Sequence, residues 1–162
     1  MGLAIAFWIL AVVAVVAALG VVFLRNVFRA ALSLVLCFIM VAGLYITLSA
    51  DFLAAVQILV YVGAISVLII LAIMMTRDVQ RGSPSNKMKA PAFVVAIVFL
   101  GVMIFTVVRT PWQIADKAPL TPTTAPLAVK FFSEGGFILP VEIAAVLILA
   151  AIIGAIVLAG EK

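Results

Sequence analysis

Side chains that could carry acid–base or metal chemistry are scarce in this sequence. It contains no histidine and only one cysteine, Cys37. Zinc and haem sites commonly use histidine, and an iron–sulfur cluster needs about four thiolates. We therefore expect no metal site, no bound cofactor and no catalytic site in this chain.

Glu142 is the only charged residue inside an extended apolar segment, and it follows Pro140 closely. A carboxylate in the opening turns of a helix is favoured by the positive end of the helix dipole. An ionisable residue at membrane depth is, alternatively, a candidate protonatable group facing a hydrated path between subunits. The sequence leaves both roles open. Asp51, at the start of another apolar segment, is expected to be a helix N-cap.

The apolar segment Phe52–Met75 contains the run Tyr61-Val62-Gly63-Ala64 near its middle. In a helix, Tyr61 lies about 14 Å along the axis from Phe52, so its hydroxyl needs a partner or water. Gly63 costs about 1 kcal/mol of helix propensity relative to alanine. Close packing of small residues accounts for this run. The alternative is a local π-bulge, in which one extra residue breaks the regular hydrogen-bond ladder, often at a functional site.

The composition indicates the class of protein in which these residues lie. Apolar residues make up 69% of the 162-residue chain and charged residues 10%, against about 25% charged in soluble domains. The mean hydropathy is +1.49. Such a chain cannot cover the surface of a soluble domain with polar groups. Soluble enzymes, nucleic-acid-binding proteins and secreted disulfide scaffolds are therefore excluded, and we predict a polytopic membrane protein embedded in the lipid bilayer.

Five apolar runs are each long enough to cross about 30 Å of hydrocarbon as a helix. The sequence thus predicts an all-α fold with one membrane domain, residues 1–162. Four prolines in the connection Arg109–Gly136 forbid a continuous helix there. The predicted spans are Leu3–Leu24, Ala30–Leu48, Phe52–Met75, Ala92–Val108 and Phe137–Ala159.

The distribution of basic residues predicts the orientation. Seven of the ten Lys and Arg residues fall in the first and third connections and the C-terminal tail, and three fall in the fourth connection. Because cytoplasmic loops carry the excess of positive charge, we expect the N-terminus outside and the C-terminus in the cytoplasm. Trp8 and Trp112 then lie near the outer interface. The net charge of +4 reflects this topology, and no nucleic-acid partner is expected.

Two blocks of the sequence resemble one family. Phe52–Met75 resembles the third helix of subunit J of the proton-translocating NADH–quinone oxidoreductase, respiratory complex I, whose mitochondrial counterpart is NADH dehydrogenase subunit 6. The core of this resemblance is VQILVYVGAISVL, Val56–Leu68. Phe137–Ala159 is similar to that family's last helix, with Pro140 and Glu142 in place. The resemblance covers essentially the whole chain.

The resemblance implies a position in the membrane arm, in the bacterial inner (plasma) membrane. The implied neighbours are subunits A, H and K, one of which carries the quinone site, and an antiporter-like subunit. FMN, iron–sulfur clusters and quinone are expected in partner subunits. In this family the third helix can hold a π-bulge at a Tyr–x–Gly segment and convert to α-helix, opening or closing a water path. Gln57 stands where some bacterial relatives have glutamate. The candidate gating and proton-path residues are Tyr61, Val62, Gly63, Gln57 and Glu142.

We therefore interpret the chain as a non-catalytic gating subunit of a proton-pumping NADH–quinone oxidoreductase. One alternative is a subunit of a related cation/proton antiporter or membrane-bound hydrogenase without NADH chemistry. Another is a plain helical scaffold. The subunits that copurify with the chain distinguish the first two, whereas a scaffold would tolerate changes at Gly63 that preserve packing.

Overall fold

The computed structural model describes residues 1–76, 89–112 and 122–160, and regular structure in this part is helical throughout. Within these residues five helices are long and apolar enough to cross a membrane, as the sequence predicted, so the chain is a multi-pass membrane protein. The third span, Asp51–Met75, combines three elements. In chain order the elements are α1 (Gly2–Phe23), α2 (Val27–Thr47), α3 (Asp51–Val56), a π-helical segment (Gln57–Ile65), α4 (Ser66–Met75), α5 (Lys89–Arg109), α6 (Thr124–Phe132) and α7 (Ile138–Gly160).

The second span begins at Val27, earlier than the predicted Ala30. Asn26 is its N-cap, and the side-chain oxygen accepts hydrogen bonds from the N–H groups of Phe28 at 3.0 Å and Arg29 at 3.2 Å. An asparagine cap satisfies amides that have no partner inside the helix. The prediction from apolar length excluded the charged Arg29, which belongs to the first turn.

A tight turn joins α2 to the third span. Ser49 has a φ of +60°, and the N–H of Ala50 donates to the carbonyl of Tyr45 at 2.8 Å. Ala50 is the N-cap of the third span, and Asp51 is the first helical residue. The prediction of Asp51 as the N-cap is therefore wrong. Its carboxylate still lies in the first turn, where the helix dipole favours negative charge.

Small residues let α1 and α2 approach closely. The Ser33 hydroxyl on α2 donates to the carbonyl of Ala17 on α1 at 2.8 Å. A Cβ added at Gly20 would overlap the Ser33 hydroxyl oxygen, so glycine makes room for this contact. A Cβ at Gly43 would lie 3.1 Å from the Leu10 methyl groups. The contact between α1 and α2 is of the small-residue type that drives helix association in bilayers.

The core of the described part is a narrow row of buried side chains, called the seam below. It lies between α1 and α2 and continues onto the third span. α2 contacts α3, the π-helical segment and α4 in turn. The buried side chains are small apart from one glutamine, which keeps the helices close along their length. They are Ala14, Ala17, Ala31, Ala42, Ala54, Gln57 and Ser66.

The fourth connection contains a helix that the sequence did not predict. The prolines do prevent a continuous helix across the connection, but α6 forms from Thr124 to Phe132. Pro126 lies in its first turn, where the missing N–H would have had no intrahelical partner. The Phe131 ring of α6 meets the Phe52 ring of α3 edge-on, with centroids 6.4 Å apart. α6, α7 and Phe52 line an open apolar pocket of about 540 Å³.

The helices α5 and α7 present apolar faces that the described part of this chain does not cover. Every described side chain of α5 is exposed, and in α7 only Val141 is partly covered. Neither helix contributes a buried residue to its membrane span. Uncovered apolar faces of this kind are typical of helices that meet lipid or other protein chains in a membrane.

Candidate functional site

The middle of the third span is π-helical, from Gln57 to Ile65. At its start the N–H of Gln57 still donates to the carbonyl of Leu53, four residues earlier. At its end the N–H of Ser66 donates to the carbonyl of Tyr61, five residues earlier. The wider step is the π-helical hydrogen bond. Close packing and a π-bulge both remained open from the sequence; the backbone around Tyr61-Val62-Gly63 is π-helical.

Ser66 closes the π-helical segment with two donors. Besides its N–H, its hydroxyl donates to the carbonyl of Tyr61 at 2.7 Å. In a bilayer, backbone groups that lose a partner find few replacements. The serine hydroxyl therefore supplies extra hydrogen bonding where the helical register changes. The spacing of five residues between Tyr61 and Ser66 is the sequence signal that matches this bond.

The π-helical backbone also determines which side chains face α2. The buried positions are Ala54, Gln57 and Ser66, and Val62 is partly covered, as is Ile65 next to Ser66. From Gln57 to Val62 the spacing is a step of five. In a regular α-helix, Ala54 and Ser66 would lie about 120° apart around the axis. One additional residue accommodated by the π-helix reduces this to about 20°. The extra residue keeps both side chains on the face that packs against α2.

Phe38 of α2 meets both polar candidates of the third span. Gln57 is 7% exposed, and its Nε2 donates a long hydrogen bond, 3.5 Å, to the carbonyl of Phe38. The Tyr61 ring is 43% exposed and packs edge-on against the Phe38 ring at 5.5 Å between centroids. The side-chain hydrogen bonds of the described residues do not include the Tyr61 hydroxyl. No signal in the sequence pointed to the role of Phe38.

Gly63 leaves room for the backbone of the preceding turn. A Cβ added there would be 3.4 Å from the carbonyl oxygen of Ile58 and, beyond the adjacent backbone of its own helix, would meet no other atom within 4 Å. A methyl group therefore fits in the π-helical form. Branching at this Cβ places further carbons beside a backbone that is already in contact.

Glu142 is separate from this group of residues. It lies in the second turn of α7 with its side chain exposed. No hydrogen bond or ion pair links it to Gln57, Tyr61 or Gly63 in the part of the chain that the structure describes. The structure thus brings Gln57, Tyr61, Val62 and Gly63 together on one segment and leaves Glu142 facing outward from the chain.

Groups of three or more metal-ligating side chains are absent from residues 1–76, 89–112 and 122–160. The π-helical and α-helical hydrogen-bond registers differ by one residue, so the two registers place different side chains on a given face of a helix.

Comparison with known proteins shows similarity along most of the chain. The sequence model of the family described as NADH-ubiquinone/plastoquinone oxidoreductase chain 6 matches residues 17–158. The chain is 40% identical to an NAD(P)H-quinone oxidoreductase chain 6 from Leptolyngbya boryana, over 98% of this chain and 80% of the relative. It is 42% identical to the protein of the same name from Synechocystis sp., over 96% of this chain and 79% of the relative.

An archaeal relative is almost as similar. The chain is 38% identical to the F(420)H(2) dehydrogenase subunit J of Methanosarcina mazei, over 94% of this chain and 88% of the relative. The match to the family model covers the third span with its π-helical segment and nearly all of α7. The chain therefore belongs to the NADH-ubiquinone/plastoquinone oxidoreductase chain 6 family.

Proposed function

We propose that this chain is a membrane-arm subunit of a proton-translocating NADH–quinone oxidoreductase, and that its third span gates the coupling of quinone reduction to proton translocation. The observation that carries the gate is the π-helical backbone around Tyr61-Val62-Gly63, inside a span of 25 residues. Membership of the chain 6 family supports the assignment to such a complex.

The gate works by a change of hydrogen-bond register. Converting the π-helical segment to α-helix turns one half of the third span by about 100° relative to the other. Tyr61 then takes the α2-facing position of Val62, and Ile65 takes that of Ser66. Exchanging these side chains opens or closes a water path beside the span. This needs no ionisable residue in the third span, which suits the neutral Gln57 at this position.

The redox chemistry belongs to partner subunits in this proposal. FMN, iron–sulfur clusters and quinone are held by other chains, and the catalytic sites lie there. The proposed membrane neighbours are subunits A, H and K and an antiporter-like subunit. The exposed apolar faces of α5 and α7 support several such neighbours, since this chain does not cover them itself.

The archaeal relative favours a second candidate, a host complex with a different electron donor. Its name is that of an F(420)H(2) dehydrogenase subunit, yet it is nearly as similar to this chain as the NAD(P)H-quinone oxidoreductase subunits are. Purifying the complex through a tag on this chain separates the two. Copurification of a flavin subunit that oxidises NADH supports the first candidate, and a complex that oxidises only another donor supports the second.

We also propose that the complex lies in the bacterial inner membrane, with the N-terminus of this chain outside. The unequal distribution of basic residues supports this orientation. The outer end of α5 then carries Arg109, whose guanidinium lies 5.6 Å from the centre of the Phe105 ring. Trp112, just beyond it, donates from its indole N–H to the carbonyl of Val107 at 2.9 Å. Aromatic and basic residues of this kind are typical of a membrane interface.

For Glu142 we propose a supporting role in proton relay or water ordering. Its side chain points away from the rest of the described chain. A carboxylate facing lipid within a span is costly, so a position against a hydrated surface of a partner subunit is the favourable alternative. The proximity of the positive end of the α7 dipole also favours its charge.

The direct test of the gate replaces Gly63 in the intact complex. Valine adds two methyl groups to a Cβ that already lies at contact with Ile58, so it penalises one register by overpacking. We expect Gly63→Val to assemble but to lose proton pumping coupled to quinone reduction by about tenfold. Structures with and without a quinone-site inhibitor should show both registers in the wild type and one in the variant.

Two matched variants serve as controls. Gly63→Ala fits the π-helical form and should retain coupled activity. Gly101→Val, on α5 where a Cβ meets no atom within 4 Å, controls for adding valine to a span. The gate is refuted if the third span keeps one register in every state and Gly63→Val pumps at the wild-type rate.

A further inference from the structure

Ser66 has the lowest exposed fraction among the buried residues of the third span. It is 2% exposed, less than Ala54 at 3% and Gln57 at 7%, and it lies beside α2. Its hydroxyl does not remain unpaired there, because it donates to the Tyr61 carbonyl at 2.7 Å. A polar side chain can thus be buried at this position without a loss of hydrogen bonding.

The identity of the residue at this position depends on the helical register. In the π-helical form, Ser66 lies about 20° around the axis from Ala54 and shares its α2-facing side. In a continuous α-helix, Ile65 would take that place, since it is separated from Ala54 by three turns and only about 20°. The two registers therefore present side chains of very different size to α2.

The facing surface of α2 favours the smaller side chain. Its buried residues are Ala31 and Ala42, and the buried side chains of the described bundle are small apart from Gln57. Such seams depend on close approach of the backbones. Serine fits this separation, whereas isoleucine requires α2 and the third span to move apart.

We propose that Ser66 is a positioning residue that stabilises the π-helical form, because it is the small side chain that this register places against α2. Ile65 has the opposite effect, since its bulk opposes the α-helical form. Only the consequence for coupling rests on the proposed gate. The effect of Ser66 and Ile65 on the backbone register stands independently of it.

The test measures the fraction of particles in each register by electron cryomicroscopy of the intact complex, with and without a quinone-site inhibitor. Ser66→Leu should lower the ratio of π-helical to α-helical particles at least tenfold, because leucine overpacks the seam. Ile65→Phe should raise the same ratio, because phenylalanine enlarges the side chain that the α-helical form must place there. Ser66→Ala keeps the position small and should remain mainly π-helical.

The opposite signs separate this role from simple damage to packing, and proton pumping per quinone reduced is measured on the same samples. Opposite shifts in register with altered coupling support both proposals. Opposite shifts with unchanged coupling support the role of Ser66 and refute the gate. If Ser66→Leu and Ile65→Phe leave the register unchanged, or if Ser66→Ala shifts it as far as Ser66→Leu, the inference is overturned, whatever Gly63→Val does to coupling.

Discussion

The contact between Gly20 of α1 and Ser33 of α2 allows a quantitative test of how the bundle is held together. Gly20→Ala adds a Cβ that overlaps the Ser33 hydroxyl oxygen. To avoid it, the hydroxyl must rotate and give up its 2.8 Å bond to the Ala17 carbonyl. Ser33→Ala removes the same hydroxyl without adding an atom. The double variant has no overlap, since the Ser33 Cβ would be 3.4 Å from the new Cβ.

The expected energies follow from these contacts. A hydrogen bond between membrane helices contributes about 0.6 kcal/mol and at most about 1.7, and overpacking by one methyl group costs about 1 kcal/mol or more. Gly20→Ala should therefore destabilise the chain by about 1–2 kcal/mol and Ser33→Ala by about 0.6–1 kcal/mol. The double variant should resemble Ser33→Ala, which gives a favourable coupling of about 1–2 kcal/mol between the two sites.

The assay is the temperature at which the chain is lost from the purified complex. A change of 1 kcal/mol corresponds to about 2–4 °C for a chain of this size, so Gly20→Ala should lower the midpoint by about 2–8 °C. Adding Ser33→Ala to Gly20→Ala should recover part of that loss. Gly101→Ala, where a Cβ meets nothing within 4 Å, is the control. If the two single losses simply add in the double variant, the packing argument is wrong.

Further predictions concern other parts of the chain. Ser49→Gly should raise the same midpoint by about 2–4 °C, because a φ of +60° costs a non-glycine residue about 1 kcal/mol or more; an unchanged or lower midpoint contradicts this. Glu142→Gln should lower the rate of proton pumping, and unchanged pumping rate and stoichiometry would leave Glu142 as an interfacial carboxylate only. A cysteine at Ser83, which lies outside the described residues, should resist labelling from the outer face of intact cells; labelling would reverse the orientation. The purified chain alone should oxidise no NADH and transport no protons in liposomes, and proton transport by it would refute the subunit assignment.

The five spans were predictable because apolar length alone determines whether a helix can cross a bilayer. The differences between prediction and structure arose at helix ends, where caps and first-turn residues determine where a helix begins. Asn26 extends α2 to Val27 by capping it, and a count of apolar residues does not include caps. Pro126 was interpreted as a helix breaker, although a first-turn proline is compatible with α6.

The sequence indicated where in the third span a π-bulge could lie, but not whether the backbone there is π-helical. Gly63 and Tyr61 suit either close packing or a π-bulge, because both need small residues and a polar partner in an apolar span. What separates the two possibilities is the step of five between the buried Gln57 and the half-buried Val62. That spacing is visible only once α2 is in place, so sequence periodicity within one helix does not reveal it.

The unequal burial of the two halves of the chain has a consequence for its biosynthesis. α2 contacts both α1 and the third span. These three spans leave the ribosome first, so this bundle can fold before α5 and α7 are made. The described part of the chain does not cover the apolar faces of α5 and α7, and α7 exposes Glu142. A cell that makes this chain in excess of its partners will therefore hold a folded amino-terminal half with an unprotected carboxy-terminal half. Because proteases remove chains of low stability, we expect the steady-state amount of this chain to fall when its partners are absent.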